Sequence, residues 1–202
     1  MIRFNLIIAG AERNVEPYID QIFENTDQIS KLFSKVKIVL VESDSDEYRY
    51  LLVIDMDDIC AHKIKDELIL SNFEYDNWDM ITANQSDNYY DMWGLKHDEW
   101  MPYDCWEMVE KRPSFISRDD AINLHVRSKQ IHIDENHPLI KVKSSFGGMG
   151  FIKIDSIKGA RSQGQRNSDG RETCDWISFC GRLNEGNADI LINPKFITNP
   201  KI

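Results

Sequence analysis

The sequence is short of cysteine, of basic charge and of long apolar runs, and each shortage excludes something. Only 4 cysteines occur in 202 residues, and Cys60, Cys105, Cys174 and Cys180 make no CxxC pair, which excludes a disulfide-stapled miniprotein. The histidines (His62, His97, His125, His132, His137) show no HExxH or paired-ligand spacing, so a cysteine–histidine metal centre is not expected. Buried, reduced thiols and a cytoplasmic location are. No stretch approaches the ~20 apolar residues of a membrane helix, so membrane insertion is not expected. The apolar run Leu6-Ile7-Ile8-Ala9-Gly10 is too short for a signal-peptide core and leads into Glu12-Arg13-Asn14 rather than a cleavage site.

Basic residues are the most telling shortage. Lys and Arg number 24 against 34 Asp and Glu, a net charge of −10. No Lys/Arg run exceeds two, so neither a nucleic-acid backbone nor an anionic membrane surface fits as a partner. An anionic ligand such as a nucleotide would need another source of positive charge. A divalent cation held by carboxylates is the obvious one.

What is present describes an ordinary folded chain. Hydrophobic residues make up 42%, and a chain of this length buries roughly 70% of its unfolded surface. Leu6 to Gly10 reads as a buried strand, and Val15 to Phe33 as a helix with Pro17 in its first turn. Val36 to Glu42 reads as a second strand, completing a right-handed βαβ start. Further strands are expected at Tyr50–Ile54, Asp79–Ala83, Leu139–Val142, Met149–Ile154 and Ala188–Pro194. Helices are expected at Lys63–Leu70, within Tyr103–Lys129 broken at Pro113, and at Cys174–Leu183. Tyr89 to Leu95 reads as an extended aromatic segment, and Gly159 to Arg171 as a surface loop. There are no repeats and no clear linker. The expectation is one α/β domain over 1–202 with a mixed, mostly parallel sheet flanked by helices.

The strongest chemical signal is Val53-Ile54-Asp55-Met56-Asp57-Asp58. Three acids within four residues concentrate like charge at the C-terminal end of an apolar strand, where open α/β sheets bind ligands. Their mutual repulsion opposes full ionisation unless a cation sits among them. Hard oxygen donors suit Mg²⁺ or Mn²⁺, which complete their shell with phosphate and water. A solvated surface turn is the alternative.

Two enzyme classes place such a motif after an apolar strand. The haloacid-dehalogenase-type phosphatases are one. Asp55 would be the nucleophile and Asp57 the acid/base, with Met80-Ile81-Thr82 and Asp119-Asp120 as the later motifs. That family's nucleophile normally ends the first strand, whereas a whole βαβ unit precedes Asp55. Arg118-Asp119-Asp120-Ala121 also reads as a helix start.

The other class is the DxD glycosyltransferases of the GT-A fold, and the order of motifs resembles it over most of the chain. Ile7-Ile8-Ala9-Gly10-Ala11-Glu12-Arg13-Asn14 resembles the first strand and turn of that fold. Val39-Leu40-Val41-Glu42-Ser43-Asp44-Ser45 resembles its second strand. Tyr89-Tyr90-Asp91-Met92-Trp93-Gly94-Leu95, Ser145-Phe146-Gly147-Gly148-Met149-Gly150, Cys174-Asp175-Trp176 and Ile190-Leu191-Ile192-Asn193-Pro194 resemble later elements of the small chlorovirus glycosyltransferase domains.

The resemblance implies sugar transfer from a nucleotide-diphosphate sugar, such as a UDP- or GDP-sugar, to a glycan or other hydroxyl acceptor. Residues 1–96 would form the nucleotide-sugar and metal half, and 97–202 the acceptor half. It implies Asp57 and Asp55 as ligands for Mn²⁺ or Mg²⁺, with Asp58 assisting. Ala9, Gly10, Arg13, Glu42, Asp44 and Asp55 would meet the nucleotide sugar, and Trp93, Phe146, Gly147 and Gly148 the acceptor. Asp175 is the candidate general base, with Asp91 as the alternative. Arg161, Arg166 and Arg171 would belong to a lid over the diphosphate. Two places depart from the family pattern: only seven residues (Ser43 to Arg49) separate Glu42 from Tyr50, and Trp176 stands where relatives carry a metal-binding histidine. A non-catalytic nucleotide- or sugar-binding module is a further reading.

Overall fold

The computed structural model describes residues 2–11, 24–25, 27–29, 31, 33–39, 49–55, 58–60, 62–157 and 170–199, with backbone only for 2–11, 33–39 and 58. The strands are β1 (Ile2–Ala11), β2 (Phe33–Val39), β3 (Tyr50–Asp55), β4 (Met80–Asn84), β5 (Ile140–Lys141), β6 (Met149–Lys153) and β7 (Ile190–Ile197). The helices are α1 (Asp66–Leu70), α2 (Cys105–Glu110), α3 (Arg118–His125) and α4 (Asp175–Glu185), and residues 24–25 and 27–29 are also helical.

The strands form a 7-stranded sheet in the order β2-β1-β3-β6-β4-β7-β5. β1 pairs parallel with both β2 and β3, and β4 pairs parallel with β7. β6 is antiparallel to both β3 and β4, and β5 is antiparallel to β7. Following these pairings, β1, β2, β3, β4 and β7 point one way, and only β5 and β6 point back. This is a mixed, helix-flanked α/β sheet, as expected of the sequence, but parallel and antiparallel pairings are equal in number rather than mostly parallel. The division at 96/97 does not divide the sheet, because β6 from the second half lies between β3 and β4 from the first.

Over β3, β4, β6 and β7 both faces of the sheet are covered, which is why these strands read as continuous apolar runs. Successive residues alternate between the faces. Phe151 of β6 joins Tyr50, Leu52, Ile54, Ile69, Trp78 and Phe196 on one side. Its neighbour Ile152 joins Met80, Tyr89, Met92, Leu95, Phe179 and Leu183 on the other. Asp104 caps α2 by accepting from the Trp106 and Glu107 amides, and Ser117 caps α3 by accepting from Asp120.

Several boundaries differ from the sequence reading. Phe33 opens β2 rather than closing the preceding helix, and α1 begins at Asp66, leaving Ile64 buried ahead of it. β7 continues through Pro194. Its pairing with β5 ends at Ile192, and its register against β4 shifts between Thr82 and Asn84, so no ladder bond needs the missing proline N–H. Tyr89–Leu95 is not extended throughout. It turns at Met92–Gly94, because the Gly94 amide donates to Asp91 Oδ1 at 3.0 Å.

Candidate active site

Because β6 runs against its neighbours, its beginning lies beside the end of β3. Ile54 pairs with Met149 and Val53 with Gly150. On the other side Gly10 pairs with Ile54 and Ala11 with Asp55, so the Ala9–Gly10 backbone reaches the same rim. The chain entering β6 passes through Gly147 and Gly148, whose φ values of 65° and 87° lie in the left-handed region.

That glycine pair is held from several sides. The Asp55 amide donates to Gly148 O at 2.8 Å, and Cys60 Sγ donates to the same oxygen at 3.1 Å. Gln85, just past β4, donates from Nε2 to Gly147 O at 2.8 Å. The Gly147 amide donates to Asp91 Oδ2 at 3.2 Å. Two residues before Gly147, the buried Ser145 hydroxyl shares a 2.7 Å hydrogen bond with Thr82. Asn25 donates to Cys60 O at 3.1 Å and His62 O at 2.8 Å, tying the first helical segment to the loop after β3.

Asp91 is therefore gripped through both oxygens, by Gly94 on Oδ1 and Gly147 on Oδ2. Burial pushes its carboxyl above the usual carboxylate range, the amide donors oppose that rise, and the nearby charge of Asp175 adds to it. Gly94 is required by closeness: a Cβ there would meet Asp91 Oδ2 at 2.7 Å. Tyr89, behind it, is wholly buried, and its phenol is pushed well up by burial and then by Asp91. Cys174 is raised by burial first and Asp91 second.

Asp175 opens α4, is exposed, and accepts from the Trp176 amide at 3.0 Å through Oδ1. An acid in this first turn suits the positive end of the helix. Trp176 stacks on Phe146 with ring centroids 4.1 Å apart and planes 17° apart, and meets Phe179 edge-on at 5.4 Å. Phe146 is only 2% exposed. The ring presented at the rim is thus the half-exposed Trp176, with Phe146 supporting it, which corrects the expectation that Phe146 itself meets a ligand.

Asp55, Asp91, Phe146, Gly147 and Gly148 thus gather around one turn. Asp175 stands near enough for its charge to raise Asp91. Trp93 is half-buried within the turn that Asp91 closes. Arg13, Glu42, Asp44, Asp57, Arg161 and Arg166 lie outside the described residues, and Asp58 is described only as the start of a 3-10 turn, Asp58–Cys60. Among the described residues no group of three or more His, Cys, Asp or Glu is placed to hold a metal ion. The half-buried carboxylate of Asp55 is a donor of the type Mg²⁺ or Mn²⁺ takes. Trp176 is committed to its stack and offers no ligand atom.

The sequence alone does not single out Gln85, Cys60 or Gly94. The polar Asn84-Gln85 pair closing an apolar strand, and the Asp91-x-x-Gly94 spacing of a side-chain-capped turn, were the available signals. Nothing local marks Cys60.

No family model and no curated protein sequence matches the chain. Among solved structures, A197 from STIV aligns over 95% of this chain and 81% of its own, with 12% identity and a TM-score of 0.42.

Proposed function

We propose that the chain transfers a sugar from a nucleotide-diphosphate sugar to a hydroxyl group of a glycan acceptor, assisted by Mn²⁺ or Mg²⁺. The observation that carries this reading is the Gly147–Gly148 turn. It is bonded on one side to Asp55 at the end of the acidic strand and on the other to the Asp91 carboxylate. The strand-end acid and a second carboxylate, raised above the usual range by burial, thus share one sheet rim.

Asp91 suits the role of general base. It is half-buried, fixed by two amides, and more basic than an ordinary carboxylate. It would take the proton of the acceptor hydroxyl as that oxygen bonds to the sugar C1 and the C1–phosphate bond breaks, releasing the nucleoside diphosphate. Asp175 would support the basicity of Asp91 through its charge. Asp55 and Asp57 would hold the divalent cation, which when bound stabilises charge on the departing diphosphate. The Ala9–Gly10 backbone, with Arg13, Glu42 and Asp44, would face the nucleotide. Trp176 and Trp93 would meet the acceptor.

The phosphatase alternative has less support. Thr82 is buried, with its hydroxyl engaged by Ser145, and β6 separates β4 from β3. Asp119 and Asp120 are exposed in the first turn of α3, where Asp119 pairs with Arg127 at 3.1 Å.

A thermal-shift screen of UDP- and GDP-sugars, with and without Mn²⁺, tests the proposal. At a hundredfold excess over Kd a ligand stabilises by ~2.7 kcal/mol, or about 5–10 °C for a chain of this length. The expected result is a shift for one base, only with metal, and lost in Asp55→Asn. Absence of a metal-dependent shift with any nucleotide sugar would overturn it. A beryllium fluoride adduct at Asp55 would favour the phosphatase, and binding without transfer across acceptors a non-catalytic module.

A further inference from the structure

A second feature of α4 has no part in the proton transfer or the donor site. Two adjoining cavities of about 270 Å³ and 700 Å³ share His97, Asp98, Lys143 and Asn184 in their walls. The smaller is also lined by Ser144 and Ile177, which flank the Phe146–Trp176 stack in sequence. From there it follows α4 past Gly181 to Asn184, roughly 10 Å at 1.5 Å per residue. The opposite wall is fixed to the site: the Lys96 amide donates to Ser144 O at 2.9 Å.

Gly181 is the telling residue. It lies inside α4, where glycine costs about 1 kcal/mol relative to alanine. Nothing lies within 4 Å of where its Cβ would stand, so packing within the fold does not demand glycine there. It lines the cavity, and a side chain at 181 would fill it.

The walls indicate the occupant. The larger ion pairs are already made: Lys143 with Asp98, and Lys141 with Asp189 at 2.5 Å. Lys96 Nζ donates to Tyr103 O at 2.7 Å. The lining lysines are thus engaged, and an occupant need not bring an anion to them. Donors and acceptors stand beside the exposed ring of Pro102, a mixture that suits hydroxyls and C–H faces together.

We propose that this groove holds the non-reacting sugar units of a neutral oligosaccharide acceptor, extending the acceptor site from Trp176 along α4. The inference rests on the glycosyl-transfer reading but is tested apart from it. Ligand-detected NMR with neutral mono-, di- and trisaccharides, without nucleotide or metal, would compare wild type with Gly181→Leu and Gly181→Ala. The expected result is binding that strengthens with chain length and weakens about tenfold or more in Gly181→Leu. The alanine variant should be at least as thermally stable as wild type, and the metal-dependent nucleotide shift should be unchanged in both. Equal binding by wild type and Gly181→Leu would overturn the groove, as would no binding of any neutral oligosaccharide. Loss of the nucleotide response in wild type, with groove-dependent saccharide binding kept, would instead overturn the transferase reading and leave the groove standing.

Discussion

Replacing Gly147 by alanine should cost the fold about 3 kcal/mol, because two separate strains meet there. The first is conformational: φ is +65°, a region that costs a residue bearing a Cβ roughly 1–2 kcal/mol. The second is steric. The new Cβ would stand well under 3.0 Å from the carbonyl oxygen of Ala83, a backbone atom of the buried strand β4. Overpacking of this kind costs about 1–3 kcal/mol. Gly170 provides the control. Its φ of +82° carries the first strain, yet nothing lies within 4 Å of its Cβ position. For a chain of this length each kcal/mol moves Tm by roughly 2–4 °C. Scanning calorimetry should show Gly147→Ala melting about 6–12 °C below wild type, and Gly170→Ala about 2–8 °C below. Equal losses in the two variants would refute the close approach of the turn to β4. Because the Gly147 amide also grips Asp91, the proposed sugar transfer should be lost in Gly147→Ala at temperatures where it is still folded.

Gly94→Ala should act on Asp91 more than on stability, since its Cβ would meet Oδ2 at 2.7 Å and push the carboxylate aside. A steady-state transfer assay should show kcat reduced by roughly 10²-fold, the scale of a lost general base, with KM for the donor little changed. The raised Asp91 carboxyl makes the native state prefer the protonated form, so its contribution to stability is full below the unfolded pKa and falls as pH rises through the native one. Asp91→Asn should therefore gain in Tm relative to wild type between pH 4 and pH 7, and remove the acidic limb of the pH–rate profile; a pH-independent Tm difference would contradict this. Burial pushes Cys105 and Cys180 to about 11 and Cys174 higher still, so these thiols should label slowly with a disulfide reagent in the native protein at pH 8 and rapidly in urea.

The fold was legible where period and composition agreed. The apolar runs at 50–54, 79–83 and 149–154 became β3, β4 and β6 with small boundary shifts, because strands buried on both faces leave an uninterrupted hydrophobic signature. The strand-end acids, the glycine pair and Asp91 were readable as types, and the rim gathers Asp55, Gly147, Gly148 and Asp91 around one turn. Their roles were less readable. Which of Asp91 and Asp175 is the more enclosed depends on the Gly94 turn and on α4, neither a matter of local sequence. The exchange of Phe146 for Trp176 as the presented ring likewise depends on how α4 lies over the turn. Gln85 and Cys60 act through contacts 62 and 88 residues away, a separation at which sequence pattern is silent.

The strand order also bears on how the chain is made. β3 is complete at Asp55 and β4 at Asn84, but the strand that joins them ends only at Lys153. A chain emerging from the ribosome therefore carries the β3 and β4 edges that face β6 unpaired through the synthesis of about seventy further residues, the kind of surface that invites pairing between molecules. A fragment ending near residue 96 would keep the β3 and β4 edges without β6 between them, and its association beyond the monomer is the expected result in sedimentation.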